Sequence, residues 1–588
     1  MMKTTGKVSF PVTTDEPLVQ SFINQGVGQL HGFWYFEAER SFRQAAAIDP
    51  NCAVAYWGMA MANPRWERRA RGFIAKASEH KSGITRRESM WIESLASYYL
   101  AGPERDKERR AKLVADLENI SREFPDDLEA RAFLVWKIWE NIHRGIRISD
   151  YEKADRLISS VLDVEPEHPI HHYRLRLWER KDARRGLESA ARCGQASPGI
   201  GILWHAPGRI YSRLHRYSDA AWHQEASARV HHAQIVRDRV LPDRIHYYSH
   251  NNEWLVRNLS HVGRVRDAID MAKNMLEVPR HPNYNNLNKW GCSAFWGRIR
   301  LRELLLRYEL WGELEDLSRT LLKPVPDIYA EYIPTLHAIG LAYFHQGKVD
   351  EGRKFIEQME ALRKEFQASS NVAVKAAEET AHSEEKEEAD VKLAKFQAAR
   401  RFGKKLAMLT RGLNELKVLD ALAAGDKELA LKHVADPRHL ARDRLSRIYL
   451  EAGDGKKAKK FALSVVNPAG PQVQPLANAV DILYRLGEHE ESFKYFRTLQ
   501  KNSAFIDLDI PVFQRIAPVA KALKFRKDWR AKKETPKDIG DRPSLDRLGP
   551  FRWQPYRAEP WKLTGVDGRS HSLRSYRGRN IIVIVLPR

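Results

Sequence analysis

Cysteine is scarce in this chain: three among 588 residues, at Cys52, Cys193 and Cys292. They are far apart and odd in number, with no CxxC and no cysteine–histidine spacing of a zinc site. That excludes a disulfide framework and a structural zinc module. Cys52 lies in the apolar run CAVAYWGMAMA and Cys193 follows a helical run, so both read as small core residues. Long apolar runs are missing too, and no transmembrane segment of about 20 residues can be drawn. The N-terminus, MMKTTGKVSFPVTTDEP, has no apolar core for a secretory signal. This points to the cytoplasm, or to export if the true start lies upstream. No Walker loop, GxGxxG or GxSxG elbow occurs, which removes support for nucleotide binding and serine hydrolysis. No cofactor is implied.

What is present suits a large packed chain, with 43% hydrophobic residues for a core and 30% charged residues for its surface. The formal net charge is +22, and residues 521–588 carry 18 basic against 7 acidic residues, half of that excess. A basic tail can hold nucleic acid or anionic lipid. Here the arginines and lysines are scattered among Pro and Asp, without clustered stacking aromatics, so a solvated linker is expected and no nucleic acid.

The stretch Val19–Pro50 reads as two short helices joined by a tight turn. Gly26 is small in the first; Ala38, Phe42 and Ala45 share one face of the second; Pro50 stops it. Thr13, Thr14, Asp15 and Glu16 supply capping residues, with Pro17 in the first turn. The same register recurs in Thr335–Met359 as Gly340, Tyr343, Gly347, Gly352 and Ile356, and Gly453 to Gly487 spans 34 residues. At His215 a histidine replaces the turn glycine. This pattern resembles the tetratricopeptide repeat, and the chain resembles bacterial multi-repeat proteins of that kind. The resemblance implies an all-α, right-handed helical solenoid that binds a peptide or partner protein in its concave groove. Residues 353–402 contain neither Pro nor Gly and predict long helices, with Glu384–Glu388 on a solvated helix face.

Residues 168–282 are crowded with His, Trp and Tyr. His171, His172, His205, His246 and His250 are candidate ligand or metal residues, His246 and His250 because a spacing of four shares a helix face. No glutamate follows His246 as a zincin would need, and the bland reading makes these histidines interhelical packing. Trp204–Arg209 reads as a break between helices that could line the groove. Arg209, Asn251 and Asn252 are groove-binding candidates, since an Asn side chain can bond both backbone groups of an extended peptide. No catalytic residue is assigned.

The C-terminal pattern AEPWKLTGVDGRSHSLRSYRGRNIIVIVL reads as strand, Asp-Gly turn, short strand and apolar strand. It resembles the opening of a thioredoxin-like redoxin domain, the peroxiredoxin and thiol-disulfide oxidoreductase superfamily. None of the three cysteines lies where that resemblance would place a nucleophile, so any oxidoreductase activity needs a cysteine this chain lacks. The expected organisation is an N-terminal extension (1–13), repeats (14–165), His/Trp-rich repeats (166–330), repeats with the helical insert (331–520), a basic linker (521–556) and a redoxin-like segment (557–588). A protein-interaction scaffold is the leading expectation. The alternatives are the targeting part of a thiol-dependent redox protein and a metal-dependent activity at the central histidines.

Overall fold

In a computed structural model the described residues are all except 1, 3, 143, 145–149, 246, 435–439, 556–558 and 580–588, with backbone alone at 467–469. Among them the chain is a succession of antiparallel helix pairs, each helix packing chiefly on its neighbours in sequence. The first helix of a pair also touches the first helix of the next: Pro17–His31 meets Ala53–Met61, and Gly201–Arg213 meets Tyr248–Val262. That alternation makes two layers, the pattern of a tetratricopeptide-like solenoid.

Close packing sets the first unit. Phe42, on helix Tyr35–Ile48, is fully buried. Its ring lies so near the backbones of Gly26 and Gly58 that a Cβ would stand 2.6 Å and 2.3 Å away. One aromatic knob thus joins three helices, and only glycine leaves room for it. The helix turns fall where the register puts them. Gly453 and Gly487 are left-handed at φ 88° and 80°, and His215 takes the same conformation at φ 58°.

Several expectations need correcting. Glu16, not a threonine, occupies the N-cap of helix Pro17–His31, and its side chain makes no cap bond. Thr13 instead donates from its amide and hydroxyl to Glu88 (2.8 and 2.6 Å), and Thr14 donates to Asp49 (2.9 Å). These bonds inlay the N-terminal extension, whose Phe10 is buried and stacked on Trp57. The long helices Val349–Ser383 and Glu388–Ala423 form one antiparallel hairpin, and residues 384–387 are its turn, with Glu385 at φ 53°, rather than a helix face. Trp204–Arg209 is not a break: it lies inside helix Gly201–Arg213, with Pro207 in the helix and Trp204 fully buried against Gly194.

The basic C-terminal stretch is a packed strap. Trp529 and Ile539 are buried. Asp538 takes Arg216 in a two-pronged pair (2.6 and 2.9 Å), and Arg542 pairs with Asp219 (3.0 Å) and lies over the Trp222 ring. Arg229 binds Asp546 and the Gly549 carbonyl, both at 2.9 Å. Asn274 donates to the Trp553 carbonyl and accepts from its amide, both at 3.0 Å. The Asn clamp expected of Asn251 and Asn252 therefore exists, but Asn274 makes it, and its peptide is the chain's own tail. Within the strap Arg542 and Arg552 reach carboxylates on the helices beneath, Asp219 and Asp270, while Arg530 pairs with Asp528 in the strap itself.

Beyond the strap, strands Lys562–Thr564 and Ser570–Ser572 pair antiparallel around the Asp567-Gly568 turn, Leu563 opposite His571. The expected third strand, 580–586, lies outside the described residues. No described helix is long and apolar enough to cross a membrane.

Two substitutions test these contacts. Gly58→Ala forces a methyl into the Phe42 ring and is expected to cost about 1–3 kcal/mol, read as a lowered urea midpoint with unchanged slope. Asn274→Ala deletes both strap bonds; hydrogen exchange at residues 550–553 should accelerate at least tenfold while the helices keep their protection.

Candidate functional site

The carboxyl ends of several inner helices meet around one concavity of about 340 Å³. Phe33, Tyr35, Tyr98, Tyr99, Trp136 and Trp139 form its aromatic wall. Its charged lining is Arg65, Arg110, Lys137, Arg144 and Arg176 against the single carboxylate of Glu140. Glu140 is taken by Lys137 at 3.0 Å, with Arg110 at 3.7 Å, and Arg110 also binds Asp106 at 2.9 Å. Among the described residues Arg65, Arg144 and Arg176 make no close ion pair, though the Arg144 charge is one of those that hold the Glu140 carboxyl low. Helix carboxyl ends carry about half a negative charge each, which favours cations here but is fewer charges than the arginines bring.

Arg176 is set by a chain of hydrogen bonds. His172 donates from Nδ1 to the His31 carbonyl (2.9 Å), which leaves its Nε2 a lone pair. That lone pair accepts the Arg176 Nε–H at 3.0 Å, one helical turn away on helix His171–Trp178. Burial and the neighbouring guanidinium hold His172 well below the ordinary imidazole range, so it stays neutral and a pure acceptor. Burial also pushes the Arg176 pKa down. The remaining guanidinium nitrogens are left for something else. Burial raises the phenols of Tyr35 and Tyr99, whose hydroxyls have no partner among the described residues.

The cavity opens through Tyr35, Pro64 and Arg65 into a second depression of about 600 Å³. Trp66 (70% exposed) and Phe36 (45% exposed) stand on this outer stretch, with the Arg244 guanidinium 5.9 Å from the Phe36 ring. The two hollows, which share Tyr35, Pro64 and Arg65, make one groove, basic and aromatic within, with Trp66 and Phe36 standing among charged side chains at its outer end.

The sequence candidates fall elsewhere. His171 uses both ring nitrogens, on the Ser189 hydroxyl (3.0 Å) and the Pro166 carbonyl (2.9 Å), and burial lowers it to about 4. His172 serves Arg176. His205 donates to Asn251 Oδ1 (2.9 Å), and its ring stands 5.0 Å from that of His250. His246 lies outside the described residues. Among the described residues these histidines form no group close enough to share an ion. Arg209 is neutralised by Glu179 at 2.6 Å, and Asn251 and Asn252 are fully buried and bonded within the protein, so none of the three faces the groove. The sequence does hold a signal for this site: Arg176 follows His172 by four residues, a spacing that puts both on one helix face.

Among the described residues, the group close enough to hold an ion is His31, Glu129 and His168, all buried. Hydrogen bonds explain it better. The Ile170 amide donates to His168 Nδ1 (3.0 Å), which fixes the His168 proton on Nε2, pointing at Glu129 (3.0 Å), where a metal would have to bind. His31 Nε2 meets the other Glu129 oxygen at 2.6 Å. Burial pushes the Glu129 carboxyl up, but the two imidazoles outweigh it and hold it at about 2. Cys52 and Cys193 offer no thiolate: burial lifts Cys52 to about 11 and raises Cys193 further.

The fold is that of an all-α helical repeat protein built from tetratricopeptide-like pairs. No protein-family model matches the chain, and no curated protein matches it. Among solved structures it is similar to a human IFIT1 dimer with m7Gppp-AAAA, at 12% identity over 80% of this chain and 94% of that one (TM-score 0.25). It is also similar to Naa15/Naa10 bound to HypK-THB, at 14% identity over 86% and 92% (TM-score 0.21). At those values neither likeness bears on function.

The buried histidines set a pH limit. His171, His172, His205, His223, His231, His232 and His261 all have pKa values depressed by burial. The unfolded chain takes up protons from about pH 6.5 downward, while the native state refuses them until far lower. Stability is therefore complete above pH 6.5 and lost as pH falls, by about 1.4 kcal/mol per unit for each group. Against a total of about 5–15 kcal/mol, acid unfolding is expected near pH 5, followed by circular dichroism. A midpoint below pH 4 would show that these histidines are charged in the native state.

Proposed function

We propose that this protein is an interaction scaffold holding an extended segment of a partner protein in the groove between Trp66 and Arg176. The observation that carries the reading is the Arg176 guanidinium, held inside the concavity by a neutral histidine and not by a carboxylate, with the exposed Arg65 and Arg144 at the mouth, beside an aromatic wall. A partly buried cation without an ion-pair partner is costly unless a ligand supplies the counter-charge. A peptide suits the groove better than stacked bases. The inner rings pack face to face on one another, Phe33 on Trp139 at 5.9 Å and 15°, and Arg109 lies 4.4 Å over Tyr98. Base recognition needs open ring faces, whereas side chains and carbonyls need pockets and donors.

A photo-crosslinking residue at Trp66 tests this, with the same residue at Val372 on the distant long hairpin as reference. A defined partner segment should be captured at Trp66 alone, and Phe36→Ala with Arg65→Ala should cut that capture at least tenfold. Identical products at both positions, or capture indifferent to the groove changes, would remove the reading.

A further inference from the structure

We propose that the inner end of the groove is a site for a phosphoryl group carried on the bound peptide. This rests on the peptide-groove reading above. The lining is rich in donors: five cationic side chains, and the Tyr35 and Tyr99 hydroxyls that have no partner among the described residues, stand against the Asn141 amide and one carboxylate that Lys137 already occupies. A single carboxylate ligand needs one bidentate arginine. A cradle with three uncommitted arginines answers a ligand with two charges and several acceptor oxygens, the description of a phosphate monoester.

The geometry also orders the donors. Arg176 is the deep one: His172 holds its Nε from behind, so the outward edge of the guanidinium is presented without competition from the protein. His172 is itself anchored by the His31 carbonyl on the first helix, so the cation's position is built across two distant parts of the solenoid. Arg65 and Arg144 are exposed and follow the carboxyl ends of helices Ala53–Met61 and Leu128–Ile142, at the mouth of the same hollow. In this arrangement Arg176 is the binding residue and His172 the positioning residue. The phosphoryl group enters past the exposed rim arginines and meets Arg176, held by His172, at the floor, while the aromatic wall covers its stem.

Phenyl phosphate is the direct probe, because it needs no known partner. Isothermal titration of the full chain should show one saturable site, with phenylacetate at least tenfold weaker, and a peptide bearing one phosphotyrosine should displace phenyl phosphate. Arg176→Ala should abolish binding. His172→Phe, which removes the acceptor behind Arg176, should weaken it while Arg176 remains. Arg65→Glu with Arg144→Glu alters only exposed residues; it should also weaken binding at least tenfold with an unchanged melting temperature, so that a folding defect at position 176 cannot mislead. Lowering the pH from 7.5 to 5.5 should weaken binding as the monoester regains its second proton near pH 6. No phenyl phosphate binding at millimolar concentration, or binding equal in the wild type and the Glu double variant, overturns the proposal, while partner capture at Trp66 stays free to succeed or fail alone. Adenosine monophosphate bound more tightly than the phosphopeptide would assign the site to nucleotides and overturn it as well.

Discussion

The architecture turns on one close contact, the Phe42 ring lying between the backbones of Gly26 and Gly58. Dispersion and burial reward an aromatic knob only where the facing helices can approach, and glycine is the residue that lets them. The same device returns farther along the chain. Trp204 lies against Gly194, Phe344 against Gly352 and Leu416 against Gly340. Each unit buries its face only because its neighbour does the same, so the array stands or falls as a series. The groove inherits its shape from this series, since it is assembled from the ends of helices whose spacing these contacts fix.

The polar interior adds a second layer of constraint. Histidines that packing alone would leave as awkward residues are organised into directed bonds. His168 is oriented by a backbone amide, His31 by Tyr173, and His172 by a carbonyl on one side and Arg176 on the other. Such networks specify one arrangement of the helices, because a buried imidazole without its partners is costly. They also make the fold dependent on neutral histidine, which ties its stability to pH. The strap completes the assembly from outside, with Asn274, Arg216 and Arg229 clasping an extended segment across the central helices and its own Arg542 reaching back to Asp219. A region that composition describes as a basic linker is thereby part of the folded body.

The repeat was legible from residue spacing because it depends on local packing rules. Small, aromatic and turn positions recur at fixed offsets, and even the substitution of His215 for a turn glycine could be read in phase. The helical insert was legible from the lack of Pro and Gly. The strap was not, because ion pairs between residues more than 300 positions apart, such as Arg216 with Asp538 and Arg229 with Asp546, leave no periodic trace. Side-chain direction was equally illegible. Asn251, Asn252 and Arg209 are the right residue types for a clamp, but Asn251 and Asn252 are buried, with Asn251 bonded to Gln224 and His205, and Arg209 is held by Glu179.

The sequence by itself determined the helix pairs, their turns and the surplus of positive charge, since these follow from local conformation, side-chain chemistry and counting. Only the tertiary structure decided which charges are cancelled. Arg209 and Arg176 look equivalent along the chain, yet one meets a glutamate and the other a neutral histidine. An electrostatic field belongs to distances in three dimensions, and it is that difference in partner which singles out the hollow at Arg176.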